Sequence, residues 1–340
     1  MIEVLIVLAV IGILTSVLLV GVRGVSRAME TARVVAEIKG LERGIAEFRA
    51  EFGMDPPSWA FILEGGSASS AAVSWGRFPP TLDARIQKGR QMVREVWPSF
   101  DFEHIGDPPG TTTASPGNPI PGNSCVDIDG DGTEGSAMVM SGAQCLAFFL
   151  GGVQTRQDSD GDGSVDTVLT HGFSTNPRAP FLRGGKRLGP YFDFNPKQFF
   201  HHDQNPVVKV SSYMDSIPGQ TKPILYFSSY GGRGYRIFGL DGVHLGLGGD
   251  DEVLSTGSIA HMRSVYLQGP ASGSNPASPF NPNTFQIISP GADGEYGIGG
   301  YVDPEKGVMF MPGDDPARNN PAELQKERDN ITNFSNGPLR

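Results

Sequence analysis

The stretch from Ile2 to Val22 reads IEVLIVLAVIGILTSVLLVGV, and only Glu3, Thr15 and Ser16 interrupt its apolar character. A helix of about twenty such residues is long enough to cross the hydrocarbon core of a bilayer. A secretory signal peptide has a basic start, a shorter apolar run and a small-residue cleavage site, which this run lacks. Residues 1–22 therefore predict a transmembrane half-helix rather than a signal peptide or a buried core helix.

The helical pattern continues beyond this segment. Apolar residues recur at intervals of three and four, which places them on one side of a helix: they are Val34, Ile38, Leu41, Ile45, Phe48 and Phe52. Gly53 and the Asp-Pro-Pro sequence after it favour a helix end. We expect one helix over residues 2–52, about 75 Å long at 1.5 Å per residue. Its second half, residues 23–53, is amphipathic and should pack on a folded domain.

Charged residues at a spacing of four lie among these apolar positions. Arg33 precedes Glu37 by four residues, and Arg43 precedes Glu47 by four. Opposite charges at this spacing are neighbours on a helix surface. The sequence therefore predicts two ion pairs on the solvent-facing side.

Glu3 is the charged residue of the apolar run. An ionised carboxylate inside hydrocarbon costs several kcal/mol unless it is paired, and intramembrane charges usually have a function. A position at the headgroup level, close to the terminus, is the alternative explanation. The surrounding run, IEVLIVLAVIGIL, resembles the N-terminal methylation signature of type IV pilins and type II secretion pseudopilins.

The resemblance implies a role for Glu3. In that family the matching glutamate neutralises the N-terminal amine of a neighbouring subunit during filament assembly, which supplies the partner that a buried charge needs. The implied partners are copies of this chain, other pilin-like subunits and an assembly platform in the inner membrane. A prepilin peptidase is implied as well, because it removes a short basic leader from members of the family.

The same comparison bears on the start of the chain and its orientation. The family's mature chain begins Phe-Thr-Leu before the Ile-Glu pair, and Met1 stands where that leucine would be. Either the coding sequence starts upstream, the chain is trimmed, or it is a divergent member that skips processing; we favour the upstream start. Arg23, Arg27 and Arg33 alone would place the C-terminal side in the cytoplasm. A basic leader would reverse this, giving a single pass through the inner membrane with the globular domain periplasmic or extracellular.

Residues 54–340 predict a loop-rich globular domain. The 46 glycines and 27 prolines indicate many turns, while 38% hydrophobic residues suffice for a core. Predicted strands cover residues 137–140, 207–210, 223–227 and 284–288, and a short helix covers 144–150. A long helix followed by strands predicts an α+β fold with an antiparallel sheet laid on the amphipathic half-helix. The resemblance implies a pilin-like domain enlarged by insertions.

Two segments begin like calcium-binding loops. Both match Asp-x-Asp-x-Asp-Gly, in which alternating carboxylates converge on one hard cation and the glycine permits a sharp turn. The candidate ligands are Asp127, Asp129 and Asp131 in the first segment, and Asp158, Asp160, Asp162 and Asp166 in the second. Val165 occupies the apolar anchor position of the second loop. Because neither segment has the terminal glutamate of an EF-hand, calcium sites and solvated acidic turns are both open, and we expect calcium.

A third acidic site is suggested by two separated segments, Ser289 to Gly297 and Asp329 to Phe334. Together they resemble the C-terminal calcium loop of major type II pseudopilins. The resemblance implies Asp293 and Asp329 as ligands, although a long stretch of sequence intervenes here.

Cys125 and Cys145 are the two cysteines, and they bracket the first acidic segment. An even pair in an exported domain favours a disulfide, which would close a loop of about twenty residues and add around 3 kcal/mol in the chain-entropy model. Separately buried, reduced thiols are the alternative.

Composition and motifs argue against several functions. The formal net charge of -10 disfavours a nucleic-acid-binding surface. The sequence contains no P-loop, H-E-x-x-H, G-x-S-x-G or C-x-x-C motif. His201 and His202 form the densest histidine site, but adjacent residues rarely converge on one metal. We therefore expect a protein that is not an enzyme.

The sequence favours a structural subunit of a type IV pilin-like filament, most closely a type II secretion pseudopilin acting in protein secretion. A minor or tip pilin would fit the large domain equally. The alternative is a membrane-anchored binding or adhesion module, for which Glu3 would be dispensable. An anchored hydrolase would instead depend on His201 or His202.

Overall fold

The structure of the chain is a computed structural model, which describes residues 2–63, 82–101, 128, 137–201, 210–235, 252–255, 258–261, 265–269, 278–297, 299–303, 307–309, 321–335 and 337–339. Within these ranges a long N-terminal helix is followed by short, mostly antiparallel strands. The expected α+β class is therefore confirmed.

Helix α1 spans Ile2–Phe52, the range that the apolar periodicity predicts. The predicted stripe is buried almost completely at Val34, Ile38, Leu41, Ile45 and Phe48. Gly53 ends the helix with a positive φ of 76°, which glycine adopts without strain, and its N–H donates to the carbonyl of Arg49 at 2.8 Å. The sequence thus predicts both the buried face and the end of this helix.

Three further α-helices occur in the described ranges: α2 (Leu82–Val96), α3 (Gly142–Gly151) and α4 (Pro321–Glu327). Helix α3 contains the predicted segment 144–150 and is buried along its whole length. Ser141 precedes it and donates its backbone N–H to Gln144 Oε1 at 2.9 Å. This gives an acceptor to a backbone amide that has none within the helix.

The strands form several small sheets instead of the single sheet expected from the sequence. Frequent glycines and prolines keep each strand to between two and five residues. Five two-stranded antiparallel sheets occur in the described ranges. They are β1 (Ala60–Leu63) with β2 (Ala137–Met140), β3 (Gln154–Gln157) with β4 (Thr167–Thr170), β5 (Phe173–Ser174) with β6 (Arg187–Leu188), β7 (Phe199–Phe200) with β8 (Ser212–Tyr213), and β10 (Glu252–Ser255) with β11 (Ser258–His261).

Two larger sheets complete the described strands. One has the order β17-β14-β9 and is antiparallel, and the other has the order β13-β12-β15-β16 with β12 and β15 parallel. Their bounds are β9 (Leu225–Ser228), β12 (Leu267–Gly269), β13 (Ser278–Pro279), β14 (Phe285–Ser289), β15 (Tyr301–Asp303), β16 (Gly307–Met309) and β17 (Ile331–Thr332). Strands β2, β9 and β14 match predicted segments within two residues, whereas most of 207–210 lies outside the described residues.

The buried face of α1 packs on α3 and β17. Phe48 makes edge contacts with Phe149 of α3 at 5.8 Å and with Tyr191 at 5.6 Å between ring centroids. A second hydrophobic cluster, built around Tyr266 and Ile288, lies on the side of β14 where the four-stranded sheet packs. Helix α3 therefore lies between part of α1 and the strands, a layer that the sequence analysis did not predict.

The N-terminal part of α1 differs from its buried C-terminal part. Large exposed apolar side chains of the described residues lie here: Val4, Ile6, Val7, Val10, Ile11, Val25 and Met29. A search of the described residues finds no helix with the combined length and apolarity of a membrane span.

Candidate functional site

The second acidic segment forms the loop of a β-hairpin. It joins β3 to β4, and the hairpin is closed where Gln157 faces Thr167 and Asp166 N–H donates to the Gln157 carbonyl at 2.9 Å. The glycines at 161 and 163 both have positive φ, 77° and 91°, so the chain turns sharply as the motif predicts.

Three carboxylates of this loop converge. Asp158, Asp160 and Asp166 each present one oxygen within 4.8 Å of the others, and all three side chains are exposed. Backbone amides hold the carboxylates in place: Asp158 accepts from Gly161 N at 2.7 Å and from Gly163 N at 2.9 Å. Oxygen ligands at this spacing suit a hard cation such as calcium.

Asp162 and Val165 have other positions in the same loop. The Asp162 carboxylate is outside the three-residue cluster and accepts from Ser164 N at 2.7 Å. That contact with Ser164 lowers the pKa of Asp162 below its usual value. Val165 is half-buried and packs against the main core, as an apolar anchor of the loop would.

Asp293 and Asp329 lie together despite their separation in sequence. The backbone N–H of Asp293 donates to Asp329 Oδ2 at 2.7 Å, and the Asp293 carboxylate accepts from Glu295 N at 2.8 Å. Burial, with added repulsion from Asp329 and Glu295, raises the pKa of Asp293. Lys222 pairs with Glu295 at 2.6 Å, so one lysine borders this acidic surface. The two predicted segments are therefore in contact, while the calcium site stays a prediction.

A buried carboxylate beneath this loop was missed from the sequence. Asp215 is 2% exposed and accepts from Ser289 Oγ at 2.5 Å and from Ile217 N at 3.0 Å. Gln220 Nε2 donates to Asp215 and also to the Gly291 carbonyl at 3.1 Å, so Gln220 ties the acidic loop to Asp215. Burial raises the Asp215 pKa. Nothing in the local sequence distinguishes this aspartate from exposed ones.

Other predicted site residues fall beyond the described ranges. Asp127, Asp129, Asp131 and Cys125 lie outside the described residues, although Ile128 between the aspartates is buried. Cys145 is buried on α3, where its Sγ contacts the Met140 carbonyl at 3.7 Å. The disulfide and the first calcium loop therefore stay predictions.

The contacts of α1 include two glutamates. Glu37 accepts from Tyr213 Oη at 2.9 Å and from Ser216 N at 3.0 Å, and Glu42 accepts from Asn333 Nδ2 at 3.3 Å. Glu37 therefore packs against the globular part rather than lying on the solvent-facing side. The helical period indicates this contact, because Glu37 is adjacent to the buried Ile38 and lies three residues after the buried Val34. Residues three apart are neighbours on a helix surface. Glu3 lies in the first turn of α1, and its side chain is outside the described part.

The histidine site offers limited chemistry. His201 Nδ1 lies 3.0 Å from Ser211 Oγ across the β7–β8 hairpin, while His202 lies outside the described residues. Ser211 is completely buried, and its backbone N–H and carbonyl both bond the Gln154 amide. A hydroxyl in this position is closed to a substrate.

Comparison of the chain with protein-family models, curated proteins and solved structures finds no match.

Proposed function

We propose that this chain is a structural subunit of a type IV pilin-like filament, most closely a type II secretion pseudopilin. Its role is mechanical and involves no catalytic turnover. Copies of the chain pack through their N-terminal half-helices, and Glu3 pairs with the terminal amine of a neighbour. The inner membrane holds the subunit before assembly, with the globular domain on the periplasmic or extracellular side.

The observation that carries the proposal is the division of α1 into two parts. Its C-terminal part buries an apolar stripe against the globular part, whereas seven large apolar side chains described in its N-terminal part are exposed, among them Val4, Ile11 and Met29. Exposed apolar surface on this scale needs lipid or other helices to cover it. Joined to the Ile-Glu sequence signature, this arrangement favours a helix that passes from a membrane into a filament core.

Calcium belongs to the same proposal. Asp158, Asp160 and Asp166 would supply carboxylate oxygens to one ion, and Asp293 with Asp329 would contribute to a second. A cation bound there would stiffen exposed loops that otherwise hold several negative charges close together. The proposed disulfide between Cys125 and Cys145 would stabilise the first acidic segment in the same oxidising compartment.

Electron microscopy of material sheared from cells tests the filament. The cells express the gene with any upstream codons restored, together with the assembly machinery, and either wild-type chain or the Glu3→Leu variant. We expect thin filaments from the wild type and none from Glu3→Leu, while the variant still enters the membrane fraction. Leucine removes the charge that pairs with the neighbour but keeps the apolar helix.

Glu30→Leu is the matched control, because it makes the same substitution at a half-buried carboxylate further along α1, which accepts from Ser26 Oγ at 3.3 Å. Filaments should survive this change. If wild type and Glu3→Leu both stay in the membrane without filaments, the membrane-anchored binding module becomes the better explanation.

A further inference from the structure

Charge is segregated along one part of the sequence. From Gln157 to Asp166 the chain has four aspartates and no lysine or arginine. From Thr167 to Phe192 it has no acidic residue and four basic ones, Arg178, Arg183, Lys186 and Arg187. The local charge therefore changes from negative to positive at Thr167, although the net charge of the whole chain is -10.

The β3–β4 hairpin separates the two charges in space. The acidic loop leaves the hairpin at Gln157, whereas Arg183 Nη2 donates to the carbonyl of Gln154 at the other end, at 3.1 Å. Arg187 Nε donates to the carbonyl of His171, the residue after β4, at 2.8 Å. The four residue pairs span three intervals of about 3.3 Å, which separates the two ends of the hairpin by about 10 Å. We call residues 158–166 the acidic pole and residues 183–187 the basic pole.

The basic pole brings three positively charged side chains close together in sequence. The Arg187 guanidinium contacts the carbonyls of His171, Gly172, Leu182 and Gly184, which fix its position but are neutral. Burial and Arg183 lower the pKa of Arg187, and burial with both arginines lowers the pKa of His171. The side chains of Arg183 and Lys186 are exposed, and the intervening glycines at 184 and 185 have positive φ, with no atom within 4 Å of where a Cβ would lie. The positive charge therefore faces outward.

We propose that the basic pole of one copy of this chain docks on the acidic pole of the next copy. The two poles lie at opposite ends of one rigid hairpin, so they meet between copies rather than within one. A contact between two different patches is heterologous, and when repeated it builds an open helical array. A two-fold contact would instead join each pole to the opposite pole of the same partner and end at a dimer, which the proposed filament does not use.

This inference rests on the proposed filament and names a contact between its subunits. Exposed ion pairs hold subunits weakly and are screened by salt, so these charges select the register while helix packing supplies affinity. Calcium does not abolish the acidic pole, because Asp162 lies outside the three-carboxylate cluster and keeps its charge.

Disulfide cross-linking between two differently tagged full-length copies tests the contact in membranes. One copy has Ser164→Cys within the acidic pole, and the other has Thr175→Cys next to the basic pole, where the Thr175 backbone N–H donates to the Lys186 carbonyl. We expect the mixed pair to cross-link on mild oxidation and the two like pairs to remain at the background set by wild-type chain. Raised salt should lower the mixed yield.

Charge reversal tests whether this cross-link depends on the charges of the two poles. Lys186→Glu on one copy, or Asp162→Lys on the other, should lower the mixed yield about tenfold, because like charges then face each other. Both changes together, on opposite copies, should restore it. Lys197→Glu is the matched control, since Lys197 is exposed and outside both poles.

Equal cross-linking of mixed and like pairs, or a yield unaffected by Lys186→Glu, overturns the contact. Loss of binding to phosphatidylglycerol vesicles in Lys186→Glu, with unchanged cross-linking, would also overturn it and indicate a lipid headgroup instead. Electron microscopy of the same cells separates this result from the filament itself. Filaments without the mixed cross-link refute the contact alone, and the mixed cross-link without filaments supports the contact and counts against the filament.

Discussion

Glu37 illustrates how one residue can link a helix to the rest of a chain. Its two carboxylate oxygens accept from different residues of β8 and the turn after it, Oε1 from Tyr213 Oη and Oε2 from Ser216 N. Gln198 Nε2 adds a longer contact at 3.4 Å. Burial raises the Glu37 pKa despite these donors, so the cost of removing the charge from water exceeds what the hydrogen bonds return.

We predict that Glu37→Ala lowers the free energy of unfolding by about 1–2 kcal/mol, because two part-buried donors lose their acceptor. Urea unfolding of the full chain in detergent, followed by tryptophan fluorescence, measures the change. Glu47→Ala is the control: Glu47 is an exposed carboxylate of the same helix, and its loss should cost no more than about 0.5 kcal/mol. Equal effects of the two substitutions would contradict the docking role of Glu37.

At the scale of elements, two glycines set the distance between α1 and the segment after β6. A Cβ at Gly44 would lie 2.8 Å from the Tyr191 carbonyl oxygen, and a Cβ at Gly40 would lie 2.9 Å from the ring of Phe192. The first neighbour is backbone and the second is the edge of a side chain. The helix therefore approaches this segment closely because these positions lack side chains.

We predict that Gly44→Ala destabilises the chain by about 1–3 kcal/mol, since overpacking against a fixed carbonyl outweighs the gain of about 1 kcal/mol in helix propensity. Gly40→Ala should be close to neutral, because the Phe192 ring can move by a few tenths of an ångström. Thermal unfolding of the two variants side by side measures this difference. A stabilised Gly44→Ala would mean that α1 does not pack on Tyr191 as described.

Calcium binding by the loop between β3 and β4 can also be tested at the scale of elements. We predict that a chelator lowers the melting temperature of the wild-type chain and that calcium at a hundredfold excess over Kd adds about 2.7 kcal/mol. Asp160→Asn should remove the part of this response that comes from the β3–β4 loop, because it neutralises one of the three converging carboxylates. Lys197→Glu, outside the loop, should respond to calcium as the wild type does. A melting temperature that is unaffected by chelator would exclude calcium at these loops.

The sequence predicts elements better than it predicts contacts. The bounds of α1 follow from the stripe at Val34 to Phe52 and from Gly53, because a helical period and a helix end are local properties. The convergence of Asp158, Asp160 and Asp166 is local for the same reason. The burial of Asp215 is not, since it depends on Ser289 and Gln220 approaching from elsewhere in the chain. The small sheets likewise depend on which distant strands meet.

At the scale of the whole molecule, buried and half-buried carboxylates shape the response to pH. Removal from water raises the pKa of the half-buried Glu37 and Asp55 and of the buried Asp215 above their ordinary values, even though Asp55 also bonds Arg49 Nε at 2.6 Å. A carboxyl group with a raised pKa binds its proton more tightly in the folded chain than in the unfolded chain. Its contribution to stability is therefore complete below the unfolded pKa and is lost as pH rises through the folded pKa.

We predict that the free energy of unfolding falls as pH rises from the ordinary values of these groups, 3.8 for aspartate and 4.5 for glutamate, through their raised values. The pKa values of Asp162 and His171 are lowered, so these two groups make the free energy of unfolding rise with pH. Their side chains are exposed, and solvent screens their contributions. Urea unfolding in chelator at a series of pH values measures the slope. Asp215→Asn cannot ionise, so its slope should be shallower than that of the wild type. A wild-type stability that rises with pH across this range would show that buried carboxylates do not control it.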